Sequence, residues 1–260
     1  MQEGSAYLVE ELRGLALREG AMLFGVAGVD RFDGAPRGHH LADIVKSSLS
    51  VISIGVPLVE QVTDWDQLFQ QSEFFPPDIR KPVLQDYLYG EVNYRFINER
   101  LNQVALSLTL FLQARGFRST LFPATFGHAW RPFEGIAPHL GMFSNRHAAV
   151  RAGLGEVGLN NVVVTPEYGP RVRFNSVITQ AELEPSLLLK EKVCRGANCG
   201  ACVDQCGGGA ISLPSEAMDE SRVWLNPVSR TDMGLCQEKR GEAFCYGRCL
   251  KVCPVGRHTS

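Results

Sequence analysis

Eight cysteines fall between Cys194 and Cys253, and the rest of this 260-residue chain contains none. They form two groups of four. The first, Cys194, Cys199, Cys202 and Cys206, reads CxxxxCxxCxxxC, and the second is Cys236, Cys245, Cys249 and Cys253, closed by Pro254. Thiolates are the ligands of iron–sulfur clusters, and two groups of four suit two [4Fe-4S] clusters. Disulfides, zinc sites and unrelated buried thiols are the rival uses of the same residues. Disulfides need an oxidising compartment, and Met1-Gln2-Glu3-Gly4 has neither the basic start nor the apolar stretch of an export leader. The expected location is therefore cytoplasmic. Zinc ribbons usually pair one CxxC with another at a spacing not found here.

In bacterial two-cluster ferredoxins three close cysteines hold one cluster and the fourth crosses to the other. That pattern assigns Cys194, Cys199, Cys202 and Cys253 to one cluster, and Cys206, Cys236, Cys245 and Cys249 to the other. The first gap is four residues rather than two, the last group contains CxxxC, and Gly207-Gly208-Gly209 rather than proline follows Cys206. These departures change loop shape more than ligand count.

A hydrophobic content of 45% over 260 residues is enough for a full core plus a small cofactor domain. A formal charge of -2 and a pI near 6.3 give no basic stripe, so nucleic acid is not indicated, although a bound transfer RNA is not excluded. No apolar run approaches the ~20 residues that cross a bilayer, so no membrane partner is expected.

The elements that must position the cysteines lie before Glu182-Leu183-Glu184-Pro185, which divides residues 1–184, an α/β unit, from a cysteine domain at 185–260. The fold class is α+β. Ala6 to Arg18, with Leu8, Leu12, Leu15 and Leu17, reads as an amphipathic helix. Met22 to Ala27 and Ser50 to Val56 read as buried strands, and a long helix is expected over about Asp86 to Gly116, with Leu101, Val104, Leu108, Leu110 and Leu112 facing the core. A strand at Ser119 to Pro123 follows. Asp64, Asp66 and Glu73 read as surface charges.

Between Thr125 and His139 the chain sets Gly, Pro, His, Arg and aromatic residues where no regular element can use them. Such loops often build pockets, the alternative being a solvated connection with two incidental histidines. Gly153, Gly155 and Gly158 spell GxGxxG, but a dinucleotide site needs a strand before and a helix after. Here a helical segment ends at the glycines and Val162-Val163-Val164 follows as a strand. The glycines then admit a different large ligand, or cap a helix.

The run Arg151 to Gly158, then Val164-Thr165-Pro166-Glu167-Tyr168-Gly169-Pro170-Arg171-Val172-Arg173, then Val177-Ile178-Thr179 and two ferredoxin-type cysteine groups, resembles the cobalamin-dependent reductases, which include epoxyqueuosine reductases and reductive dehalogenases. The resemblance covers about Tyr94 to the C-terminus. Glu156 and Leu159 stand where epoxyqueuosine reductases tend to read Trp and Lys, and Glu156 with Tyr168-Gly169-Pro170-Arg171 looks more like the dehalogenases.

The resemblance implies a nitroreductase-like αβα domain holding base-off cobalamin, followed by a ferredoxin-like domain with two [4Fe-4S] clusters. It also implies a proton donor: His139 first, then His128 and Tyr168, with Arg146 behind them. The alternatives are a backbone-bonded His139 and a Tyr168 that packs on the core. Gly153, Gly155, Gly158, Asn160 and Asn161 become corrin contacts, while Arg171 and Arg173 meet the corrinoid or lie on solvent. Three functions fit. The chain is a corrinoid-dependent reductase of a small organic or nucleoside substrate supplied by ferredoxin or flavodoxin, an electron-transfer protein that reduces a corrinoid on a partner protein, or a cluster-bearing subunit.

Overall fold

The N-terminal amphipathic run forms helix α1, Gln2–Arg18, which puts Val9, Leu12 and Ala16 into the core. Leu8 and Leu15 flank that face, but Leu17, five residues from Leu12, falls on the opposite side and is exposed. The computed structural model describes residues 2–35, 38–70, 76, 83–125, 143–213, 231–242, 245 and 247–257.

Strands β1 (Leu23–Gly28) and β2 (Ser50–Pro57) pair antiparallel, and both are buried almost throughout. The π-helical segment Leu84–Phe96 runs directly into helix α2, Ile97–Ala114, so the long helix expected from periodicity has two winding geometries. Leu101, Val104, Leu108 and Leu112 are fully buried, but Leu110 is exposed because it lies across the helix from them. Strand β3 is short, Ser119–Leu121. Helix α3 (Asn145–Arg151), the two-residue strands β4 (Glu156–Val157) and β5 (Val163–Val164), and strand β6 (Val172–Thr179) follow.

The main sheet has the order β1-β2-β6-β3, with every neighbouring pair antiparallel, while β4 and β5 form a separate hairpin. Alternate strand residues point to opposite sides. Phe24, Val26, Ile52, Ile54 and Val177 pack against α1 and α2; Ala27, Val51 and Ile178 pack toward Ala148 and Ala152 at α3. Helices thus cover both faces, which is why β1 and β2 read as continuous apolar runs.

The last residue of these cores is Leu183. Beyond it Ser186 stays on the free edge of β1: its N–H donates to the Val26 carbonyl at 2.9 Å, and Val26 N–H donates to Ser186 Oγ at 3.0 Å. The linker covers an otherwise open strand edge. In the cysteine region helix α4 (Ala201–Asp204) packs against helix α6 (Arg248–Lys251), and helix α5 (Met233–Glu242) carries Cys236.

Candidate functional site

One cavity is lined by Cys194, Cys199, Cys202 and Cys253, together with Leu159, Asn160 and Val164 of the hairpin region. Three of its cysteines lie on the loop around α4, while Cys253 arrives from the other end of the cysteine region. Burial pushes the Cys202 thiol up to about 11, and the thiols of Cys194, Cys253 and Cys199 add to the effect. Burial pushes the Cys249 thiol up to about 12, with contributions from Cys245, Cys202, Cys236 and Cys206. Cys202 thus lies near the thiols of Cys194, Cys199 and Cys253, and Cys249 near those of Cys206, Cys236 and Cys245 as well as Cys202. Among the described residues no three donors converge tightly enough for a single bound ion. A cubane takes one thiolate per iron and needs thiols set apart around a cavity, which is the disposition of the first set.

The hairpin holds the entrance to this loop. Glu156 is buried, and its carboxylate accepts the N–H of Val193 at 2.7 Å and that of Cys194. Asn160 Nδ2 donates to the Cys249 carbonyl at 3.3 Å. Glu156 lies inside the glycine motif and Asn160 two residues beyond it, so both place cysteine loops from the same hairpin.

Its glycines are packed by the protein's own atoms. Gly153 has φ +76°, and a Cβ there would sit 2.0 Å from the Leu187 carbonyl oxygen. At Gly155 a Cβ would meet Val163 Cγ1 and the Val164 carbonyl, both at 2.6 Å, and at Gly158 it would meet Val164 Cγ2 at 2.7 Å. The close approach that glycine permits here is between segments of this chain.

Helix α3 begins at Ser144, whose Oγ caps the His147 N–H and lies 2.6 Å from His147 Nδ1. Burial first, then Arg151 and Arg146, pull the His147 pKa down to about 4, so the ring is neutral at neutral pH. Burial likewise lowers Arg151 to about 10. Among the described residues no carboxylate pairs with Arg146 or Arg151. Arg146 donates to both the carbonyl and the side-chain oxygen of Asn161, which has φ 60°, and Arg151 Nε donates to the Arg31 carbonyl. Arg151 Nη1, Asn145 Oδ1 and Asn160 Oδ1 are buried with no hydrogen-bond partner.

His128 and His139 lie outside the described residues. Tyr168 is partly buried in the turn before β6, where its N–H donates to Thr165 Oγ1 at 3.0 Å, and its side chain packs with Val157 against the Val163 and Val172 cluster. Arg171 is buried, and its guanidinium faces the last cysteine loop rather than solvent. Arg173 points elsewhere: its Nε donates to Asn98 Oδ1 at 2.6 Å and its guanidinium stacks over Tyr94.

Asp64 is no free surface charge. Arg257 donates to its two oxygens at 2.9 and 3.1 Å, and this hydrogen bond, outweighing burial, holds the carboxyl below its usual range. Sequence reading missed this pair because nothing local links positions 64 and 257. Glu156, an acid inside a glycine motif, did carry a visible signal.

No protein-family model matches the chain. Over 125 residues it is 29% identical to epoxyqueuosine reductase of Bacillus subtilis, covering 45% of this chain and 30% of that protein. Over 117 residues it is 43% identical to tetrachloroethene reductive dehalogenase of Dehalobacter restrictus, covering 40% of this chain and 21% of that one. Over these segments it is similar to both reductases. The matched segments span less than a third of the length of either. Its fold overlays epoxyqueuosine reductase from Streptococcus thermophilus with a TM-score of 0.55 at 19% identity, over 96% of this chain and 66% of that one. It also overlays a catabolic reductive dehalogenase solved with 3-bromo-4-hydroxybenzoic acid, with a TM-score of 0.63 at 16% identity, over 98% and 32%. No helix among the described residues is long and apolar enough to cross a membrane.

Proposed function

We propose that the chain is an iron–sulfur reductase in which two [4Fe-4S] clusters pass electrons to a base-off corrinoid that acts on a small organic or nucleoside substrate. The observation that carries this reading is the arrival of Cys253 beside Cys194, Cys199 and Cys202 in one cavity, which fits the crossing ligation expected from two-cluster ferredoxins. The second cluster belongs to Cys206, Cys236, Cys245 and Cys249. The kinship with two kinds of reductase supports the chemistry, and the helices on both sheet faces support a nitroreductase-like corrinoid domain.

Each part of the chain has a task in this scheme. Glu156 and Asn160 fix the cysteine loops by their backbone bonds, and the exposed Cys199 leaves one edge of the first cluster open to a ferredoxin or flavodoxin donor. The orphaned polar atoms of Asn145, Arg151 and Asn160 suit a ligand rich in amide donors and acceptors, which corrin side chains are. When bound, the corrinoid supplies the low-potential cobalt chemistry that no side chain provides. His139, His128 and Tyr168 remain the candidates to deliver a proton to product; of these Tyr168 is placed beside the hairpin. His147 is held neutral beside two guanidiniums and cannot serve as an acid at neutral pH.

The test is anaerobic reconstitution followed by gel filtration with added cobalamin. The reading expects about eight irons per chain and a base-off absorption spectrum that stays with the protein. Intact clusters with no retained corrinoid would point to reduction of a corrinoid on a partner protein. Zinc in place of iron would end both readings. Cys253→Ala should remove about half of the iron.

A further inference from the structure

Arg171 is 4% exposed, and its guanidinium fills the seam between the sheet domain and the last cysteine loop. Nη1 donates to the carbonyls of Leu250 and Cys253, both at 3.0 Å, and Nη2 donates to the carbonyl of Val255. The seam has no room to spare. A Cβ on Gly169 would sit 2.1 Å from the Val255 carbonyl oxygen, and one on Gly256 would sit 2.2 Å from the Gly169 nitrogen. All three acceptors of Arg171 are neutral, and among the described residues no carboxylate lies within ion-pair distance of it. A buried guanidinium satisfied only by carbonyls keeps its whole charge, and the low dielectric around it lets that charge act on its surroundings. The neighbouring charges are Lys251 of the same loop and an ion-paired group in which Arg257 binds Asp64 through two bonds and lies 3.8 Å from Glu60.

We infer that Arg171 is a positioning residue that sets the reduction potential of the cluster bound by Cys194, Cys199, Cys202 and Cys253, by fixing a permanent positive charge against the Cys253 loop, with Asp64 as a weaker opposing charge. This rests on the two-cluster reading above. Reduction adds one electron from an external one-electron donor to the cluster, with no bond made or broken and no proton required. Its extra negative charge is stabilised by a cation held nearby and opposed by an anion. The three hydrogen bonds also fix where Cys253 presents its sulfur. A purely structural role would predict no sign relation between the two charges.

The measurement is a dithionite titration of the anaerobically reconstituted full chain, followed by electron paramagnetic resonance, with the cluster identified as the one lost in Cys253→Ala. In Arg171→Gln the reduced-to-oxidised ratio of that cluster at fixed potential should fall about tenfold, which is about 59 mV for one electron, while the other cluster is unmoved. Arg171→Lys should retain most of the wild-type potential. Asp64→Asn should shift the same cluster the opposite way, by less. Unchanged potentials, equal shifts of both clusters, or shifts of the same sign from Arg171→Gln and Asp64→Asn would overturn the inference. So would an Arg171→Lys protein as shifted as Arg171→Gln. Should Arg171→Gln fail to hold iron, the Asp64→Asn shift decides alone. Iron near eight per chain in the unsubstituted protein separates failure of this inference from failure of the two-cluster reading.

Discussion

The sheet domain and the cysteine region are held together by different physics. Before Leu183 there are three apolar clusters, built from strands buried on both faces and from helices whose inner stripes are fully covered. After it, among the described residues, Ala210 and Ile211 are the only buried hydrophobic side chains, and the helices are one to three turns long. Short helices with so little buried apolar surface cannot offset the entropy of ordering a chain. In the two-cluster reading proposed above, the region draws its order from ligation and from its seams with the sheet domain. Those seams are polar and specific: Glu156 to the Cys194 loop, Asn160 to the Cys249 carbonyl, Arg171 to three carbonyls and Asp64 to Arg257.

The sharpest way to break that contrast is to remove the metal. Chelation of iron should strip hydrogen-exchange protection from the amides of residues 194–213 and 245–257, while β2 and β6 keep theirs. Equal loss in both regions would show that the sheet domain leans on the clusters. Rebinding should release protons, because burial holds Cys202 and Cys249 well above neutral pH as thiols and the clusters take thiolates.

The converse experiment leaves the cysteines alone. Leu108→Ala empties a fully buried site on α2 and should cost about 2–5 kcal/mol in denaturant unfolding, with iron content unchanged in the folded protein. Iron loss in step with the destabilisation would tie the two regions into one cooperative unit.

A pH titration sharpens the picture of α3. His147 is held near 4 in the folded chain against about 6.5 unfolded, so between those values the unfolded state binds the extra proton. Stability should therefore fall as pH drops from about 6.5 toward 4, by up to roughly 3 kcal/mol. His147→Gln should flatten that slope in thermal unfolding measured across the window.

The smallest effect concerns the seam. Asp64→Asn removes a partly buried ion pair on the molecular surface and should change global stability by about 1 kcal/mol or less. Faster exchange at residues 250–257 in this variant would show that the pair docks the tail rather than stabilising the whole fold.

Much of the sheet domain could be read from pattern because its forces are local in sequence. Leu101, Val104, Leu108 and Leu112 recur at helical spacing, and the runs in β1 and β2 are bounded by turns. Leu17 and Leu110 are apolar but exposed, because helical angle, not residue type, decides which side chains face the sheet. The candidate proton donors His128 and His139 fall outside the described residues, so their part in the site rests on resemblance. The glycine motif was legible as a close approach, but the partner was not: Leu187, Val163 and Val164 fill the space that a ligand was expected to take.

The eight candidate donors, and the crossing pattern expected of them, are read from the cysteine count and spacing alone, because short spacers dictate which thiols one loop can present. The position of Arg171 on the Cys253 loop, the pairing of Asp64 with Arg257, and the use of Glu156 to hold Cys194 were decided by the tertiary structure alone. Each joins residues separated by tens to nearly two hundred positions, and no periodicity encodes such contacts. They exist only once the antiparallel sheet has brought the turn before β6 against the end of the chain.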